Sequence, residues 1–174
     1  MIKASSGTTI IEAVIAIFII TVGILGGLGL ALQATAKAGY SKEETVAANL
    51  AREGIEIVRN MRDSNWLNSL SWDQGLSGGA AEKGGILNFS SANNQWTLTH
   101  LADPAEALNN ETSRLYLKDG FYSTDATGVK TLLKRVIKIT SISADEKKIE
   151  AVVRIEFKNL TKDMVVEDRL YNWK

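Results

Sequence analysis

The sequence has no cysteine, one proline (Pro104) and one histidine (His100). Without cysteine there is no disulfide framework and no thiolate metal site. A single histidine cannot build a multi-histidine metal centre, and serine or threonine nucleophiles lack the paired base that activates them. No two carboxylates are convincingly placed for general acid–base chemistry. The sequence therefore points to no enzymatic activity, no metal and no cofactor. An excess of either charge is also missing, since 20 Lys and Arg balance 20 Asp and Glu over 174 residues. Such a chain exerts no overall attraction on nucleic acid or on an anionic membrane surface. The glycines at 75, 78, 79, 84 and 85 lack the spacing of a phosphate-binding loop, so Gln74–Gly85 reads as an ordinary loop.

Charge is absent in one place above all. From Ala13 to Ala36, 24 positions carry no ionisable side chain. As a helix this stretch would extend roughly 36 Å, enough for a hydrocarbon core of about 30 Å. The remaining 138 residues, 37–174, have the composition of an ordinary soluble domain. The order of the first segments differs from that of a secretory signal peptide. A polar stretch, Met1-Ile2-Lys3-Ala4-Ser5-Ser6-Gly7, comes first and the apolar run follows it directly. Ala34-Thr35-Ala36 is only a superficial match to a signal-peptidase site. Glu12 stands at the edge of the run, between Ile11 and Ala13. A carboxylate near hydrocarbon is costly unless hydrated, neutralised or paired. It either marks the headgroup boundary or awaits a cation from a partner.

The run Gly7-Thr8-Thr9-Ile10-Ile11-Glu12-Ala13-Val14-Ile15-Ala16 resembles the cleavage and methylation motif of type IV prepilins. In that family a short leader ends in glycine, and a glutamate is the fifth mature residue at the head of a long apolar helix. Cutting after Gly7 makes Thr8 the first mature residue and Glu12 the fifth. The family's usual phenylalanine at the first position is replaced here by Thr8. The resemblance implies cleavage between Gly7 and Thr8 by a prepilin peptidase, N-methylation of Thr8, and pairing of Glu12 with the terminal amine of a neighbouring subunit. It also implies a leader, 1–7, held in the cytoplasm, with Lys3 as a weak topology signal. Gly23, Gly26, Gly27 and Gly29 cluster in the apolar helix, and Gly29 occupies the position where similar pilins often carry a helix breaker. Such glycines serve close helix packing, local flexibility, or both.

Beyond the membrane segment, 8–36, the pattern stays helical over 37–67. Val46, Leu50, Gly54, Ile57, Val58 and Met61 recur at spacings of three and four. Ser41 and Glu44 could cap a new helix there, whereas the resemblance favours one continuous helix from Thr9 to Arg62, about 80 Å long. Short strands are predicted at Ile86–Phe89, Gln95–His100 and Arg114–Leu117, with a turn or short helix at Ala105–Asn110. Asp119-Gly120 and Thr127-Gly128 are turn signals. In the C-terminal third, Leu132–Ser143, Lys148–Lys158 and Asp163–Trp173 read as a three-stranded meander. The alternation of Ile149, Ala151, Val153, Ile155 and Phe157 is its clearest part. Lys134, Arg135 and Lys138 read as a small basic patch on a solvated strand face, and the four tryptophans (Trp66, Trp72, Trp96, Trp173) as core. Glu53-Gly54-Ile55-Glu56-Ile57-Val58-Arg59, Asp63-Ser64-Asn65-Trp66 and the final strand resemble minor pilins of the pilus-modification type.

The expected fold is α+β, with a long N-terminal helix against an antiparallel β head over 68–174. The expected role is a minor pilin or pilin-like subunit. The resemblance implies other pilin subunits, prepilin peptidase/methyltransferase and an inner-membrane assembly platform as partners. Membrane lipid surrounds the helix before assembly, and no nucleic acid is bound. The chain would be a single-pass inner-membrane protein with a cytoplasmic N-terminus, then part of an extracellular or periplasmic filament. Two alternatives stay open: a pseudopilin of a type II secretion or competence system, and an unprocessed membrane-anchored binding domain.

Overall fold

A computed structural model describes residues 9–76, 82–90, 94–157 and 160–173. The fold is α+β, with a long apolar N-terminal helix and a C-terminal antiparallel sheet. Helix α1 spans Ile10–Leu67 and passes Ser41 and Glu44 without a new start. Its residues up to Lys42 belong to one compact unit, and the rest of the helix joins the second, Glu43–Lys174.

In the second unit the helix packs on a seven-stranded sheet. The strands are β1 (Glu82–Ser90), β2 (Gln95–Leu101), β3 (Arg114–Lys118), β4 (Phe121–Ser123), β5 (Val129–Ser141), β6 (Glu146–Phe157) and β7 (Leu160–Tyr171). A short helix α2 (Pro104–Ala107) follows β2, and a 3-10 turn, Glu111–Ser113, precedes β3. Asp103 caps α2, its Oδ1 accepting the amides of Ala105 and Glu106 at 2.8 and 3.2 Å.

The expected meander β5–β6–β7 is present, with Ile137 opposite Ala151 and Ala151 opposite Val166. The other edge of β5 is shared. Its last residues pair with β1, as Ile137 does with Gly85, while its first residues pair with β3, as Val129 does with Leu117. The two hairpins β1–β2 and β3–β4 therefore leave one spine as the arms of a fork. Thr124 Oγ1 donates to Asn88 Oδ1 at 2.6 Å and ties the arms together.

Period-two alternation decides what each face of the spine buries. Leu133, Ile137 and Ile139 with Ile149, Ala151, Val153 and Ile155 form the core under α1. The helix lies close against the sheet at Gly54, where an added Cβ would lie 2.9 Å from Ile137 Cδ1 and 3.3 Å from Ala151 Cβ. Ala47, Leu50, Ala51, Ile55, Ile57, Val58 and Arg62 complete the buried helix face, whereas Val46 and Met61 are only half-buried. On the opposite face Val136 and Val152 pack beneath Ala107, Leu108 and Leu101. Glu44–Lys162 (2.5 Å) and Arg59–Asp168 (2.9 Å) join the helix to β7.

Several expectations are corrected. The loop over Gln74–Gly85 is shorter at its far end, because Gly84 and Gly85 belong to β1; its middle, 77–81, lies outside the described residues. A Cβ at Gly84 would strike the Ile137 carbonyl, and one at Gly85 the Thr99 carbonyl. Glycine is required there by close backbone approach, not by a turn. The basic patch does not exist. Lys134 and Arg135 are adjacent in a strand, so they point to opposite faces, and both are buried. Lys134 joins Arg114, Lys130, Glu111 and Glu156 in an ion-pair network with separations of 2.5–2.8 Å at its close contacts. Of the tryptophans, only Trp72 is buried. Trp173 is 73% exposed and stacks on Trp66 at 5.7 Å, with the Arg62 guanidinium over both rings.

Candidate functional site on the apolar helix

The first part of α1 follows directly from its residues. Ala, Leu, Ile, Val and Phe dominate 13–36, and the sequence interrupts them with hydroxyls and glycines but no charge. The helix starts at a cap: the Glu12 amide donates to Thr9 Oγ1 at 3.4 Å, so Thr9 is the cap and Glu12 the third helical residue. Thr-x-x-Glu is the pattern of a capping box. A carboxylate in the first turn also faces the positive end of the helix dipole, worth about 0.3–1 kcal/mol in water. Thr9 thus caps the helix through the Glu12 backbone amide, and the Glu12 carboxylate favours the same start through the helix dipole, a local role that the sequence reading missed although the Thr9–Glu12 spacing announces it.

The helix is apolar on all sides. Ile10, Ile11, Val14, Ile15, Phe18, Ile19, Val22, Leu25 and Leu28 are all exposed, and none of the described residues covers them. It is long and apolar enough to cross a membrane. The hydroxyls within it are satisfied internally: Thr21 Oγ1 donates to the Ile17 carbonyl at 2.7 Å, and Thr35 Oγ1 to that of Leu32 at 2.9 Å. These bonds suit a medium with no water to offer.

Gly23, Gly26, Gly27 and Gly29 all lie in the helix, and apart from the helix's own adjacent backbone a Cβ added at any of them meets no described atom within 4 Å. Three of them, Gly23, Gly26 and Gly27, fall within roughly 100° of the helix circumference at 3.6 residues per turn. Each glycine lowers helix stability by about 1 kcal/mol relative to alanine. No packing contact among the described residues explains that cost. Of the sequence-predicted site residues, Glu12 and these four glycines share this helix, while Gly7 and Thr8 lie outside the described residues.

Comparison of the chain with protein-family models, with curated proteins and with solved structures finds no match.

Proposed function

We propose that this chain is a structural subunit of a type IV pilus-like filament, a minor pilin held in the inner membrane by α1 before assembly. The observation that carries the reading is the register of Gly7, Thr8 and Glu12 at the head of an uncovered apolar helix. Cleavage after Gly7 frees the amine of Thr8 four residues before Glu12. In a bundle of such helices the Glu12 carboxylate meets the amine of a neighbouring copy or of a related pilin. Both charges pay desolvation, but an unpaired one costs several kcal/mol, so correct register is favoured over slipped register. The glycines support the same reading, because they leave a low helix surface against which another helix can pack closely. Lipid covers the apolar surface before assembly, and neighbouring helices cover it afterwards. Lys3 favours a cytoplasmic N-terminus, which sends the head across the membrane.

The deciding experiment is mass spectrometry of the N-terminal peptide from membranes and sheared surface material of the native host. The expected peptide begins at Thr8, with or without one added methyl group. A mature, correctly localised protein that begins at Met1 or Ile2 overturns the filament reading and leaves a membrane-anchored domain.

A further inference from the structure

The second unit holds an open groove of about 660 Å³ between the exposed edge of α1 and the β1–β2 hairpin. One wall is a polar stripe on the helix, Glu53, Glu56, Asn60 and Asp63, at spacings of three and four, with Arg59 beside it. The other wall is aromatic: Phe89 and Trp96 are cross-strand partners with ring centroids 5.2 Å apart. Buried Ile57 lies between the walls. The stripe runs about 15 Å along the helix.

The three carboxylates are held in place from the protein side, each through one oxygen. Glu53 Oε1 takes Arg135 Nη1 at 3.3 Å, Glu56 Oε1 takes Arg59 Nη1 at 2.6 Å, and Asp63 Oδ1 takes Arg62 Nε at 2.8 Å. The second oxygen of each carboxylate has no hydrogen bond to another side chain among the described residues and can accept from a ligand. Asn60 adds an amide with both donor and acceptor capacity. Arg135 is 2% exposed, sits between Glu53 and the Trp96 ring (6.0 Å), and its Nη2 has no hydrogen-bond partner among the described residues.

We infer that this groove binds a neutral oligosaccharide. A sugar ring presents an apolar C–H face and a belt of hydroxyls, each both donor and acceptor. An aromatic wall opposite oriented carboxylate and amide groups complements the two. Other ligand classes fit less well. The lining is acidic on balance, with Glu53, Glu56 and Asp63 against Arg59, which disfavours a phosphate or an acidic glycan, while the arginine already beside each carboxylate reduces what a polyamine would gain. An apolar peptide would strip water from the polar stripe without replacing its hydrogen bonds. The inference does not depend on filament assembly.

The test is titration of the full chain in lipid nanodiscs with chitohexaose, maltohexaose, cellohexaose and mannohexaose, and with spermine and polygalacturonate as charged controls. Calorimetry supplies the readout. At least one neutral hexasaccharide should bind. Asn60→Ala and Asp63→Ala, both at exposed positions, should each weaken that binding at least tenfold, and Trp96→Ala should abolish it. Arg169→Ala, away from the groove, should leave it unchanged. Binding of none of the four at millimolar concentration overturns the inference. So does tighter binding of either charged control, or affinity that survives both the Asn60 and the Asp63 substitutions.

Discussion

Replacing Arg135 by methionine should stabilise the second unit. The guanidinium is fully enclosed, and burial is the largest influence on it, pushing its pKa below the ordinary arginine value against the attraction of Glu53. The compensation it receives is thin. Its two hydrogen bonds, to the Leu50 carbonyl and Glu53 Oε1, are both 3.3 Å long, and Nη2 has no partner among the described residues. An unsatisfied buried donor costs about 1–3 kcal/mol. Glu53 is nearly half exposed, so solvent screens the pair and limits its worth to about 0–1 kcal/mol. The cation above Trp96, at 6.0 Å, returns about 0.5–1 kcal/mol. Methionine keeps an unbranched side chain of similar reach beside Gly54 and removes the charge. The balance favours Arg135→Met by about 1 kcal/mol, in the direction seen when buried ion pairs give way to well-packed apolar side chains. Guanidinium unfolding of the full chain in mild detergent, followed by tryptophan fluorescence, should show a raised midpoint at unchanged slope. Loss of more than about 1 kcal/mol would refute the reasoning, since it would mean that the buried cation is a net stabilising element.

Gly54→Leu should cost about 3 kcal/mol in the same assay. Even the first added carbon meets Ile137 and Ala151, and both are fully enclosed. Acid should loosen the face of the sheet that carries the ion-pair network. The guanidinium of Arg114 and the ammonium of Lys130 hold Glu111 down at about 2. Burial pulls Glu156 upward, but Lys134 and Arg114 outweigh it and its pKa also falls. Both contributions are therefore complete above the ordinary carboxylate value of 4.5; that of Glu111 is lost as pH falls toward about 2, and that of Glu156 is lost in the same direction. Glu156→Gln should flatten the dependence of stability on pH over that window. Glu12→Gln keeps the residue type of a capping box but removes the charge, whereas Glu12→Ala removes both. If charge pairing drives assembly, membrane insertion should persist in both variants while recovery in sheared filaments falls at least tenfold in both. Normal assembly of Glu12→Gln would leave only the capping role. Gly23→Ile with Gly27→Ile should leave the unfolding midpoint of the second unit unchanged, because a Cβ at either position meets no described atom beyond the adjacent helix backbone, yet reduce filament recovery.

What could be read in the sequence was local. The uncharged run over Ala13–Ala36 and the alternation from Ile149 to Phe157 each follow from one period of one element, and both appear as expected. The fork of the sheet was not legible. Nothing local tells β1 and β3 to share one edge of β5, because their registers depend on residues 12–20 positions away for β3 and 52–58 for β1. Gly84 and Gly85 misled for the same reason: glycine clusters signal a loop unless a neighbouring backbone demands the space. Lys134 and Arg135 read as surface because lysine and arginine rarely occupy interiors. Only the carboxylates of Glu111, Glu156 and Glu53, brought in from other elements, explain their burial. The reading of the apolar helix rested on the spacing of Gly7, Thr8 and Glu12, whereas the groove beside Trp96 joins residues from two distant segments and left no pattern to find.

The helix–sheet packing also fixes an order of events in synthesis. The apolar stripe of α1 that includes Leu50, Ile55 and Val58 is made early, yet what covers it lies in the C-terminal third. The links that hold it there span 85 residues from Leu50 to Arg135, 109 from Arg59 to Asp168 and 118 from Glu44 to Lys162. At roughly 5–20 residues per second the stripe waits about 4–24 s for its cover. During that interval its charged flank, Glu43, Glu44, Arg52, Glu53, Glu56 and Arg59, is what keeps it in water. The side chains that later lock the helix to the sheet thus first serve as its solvent-facing guard.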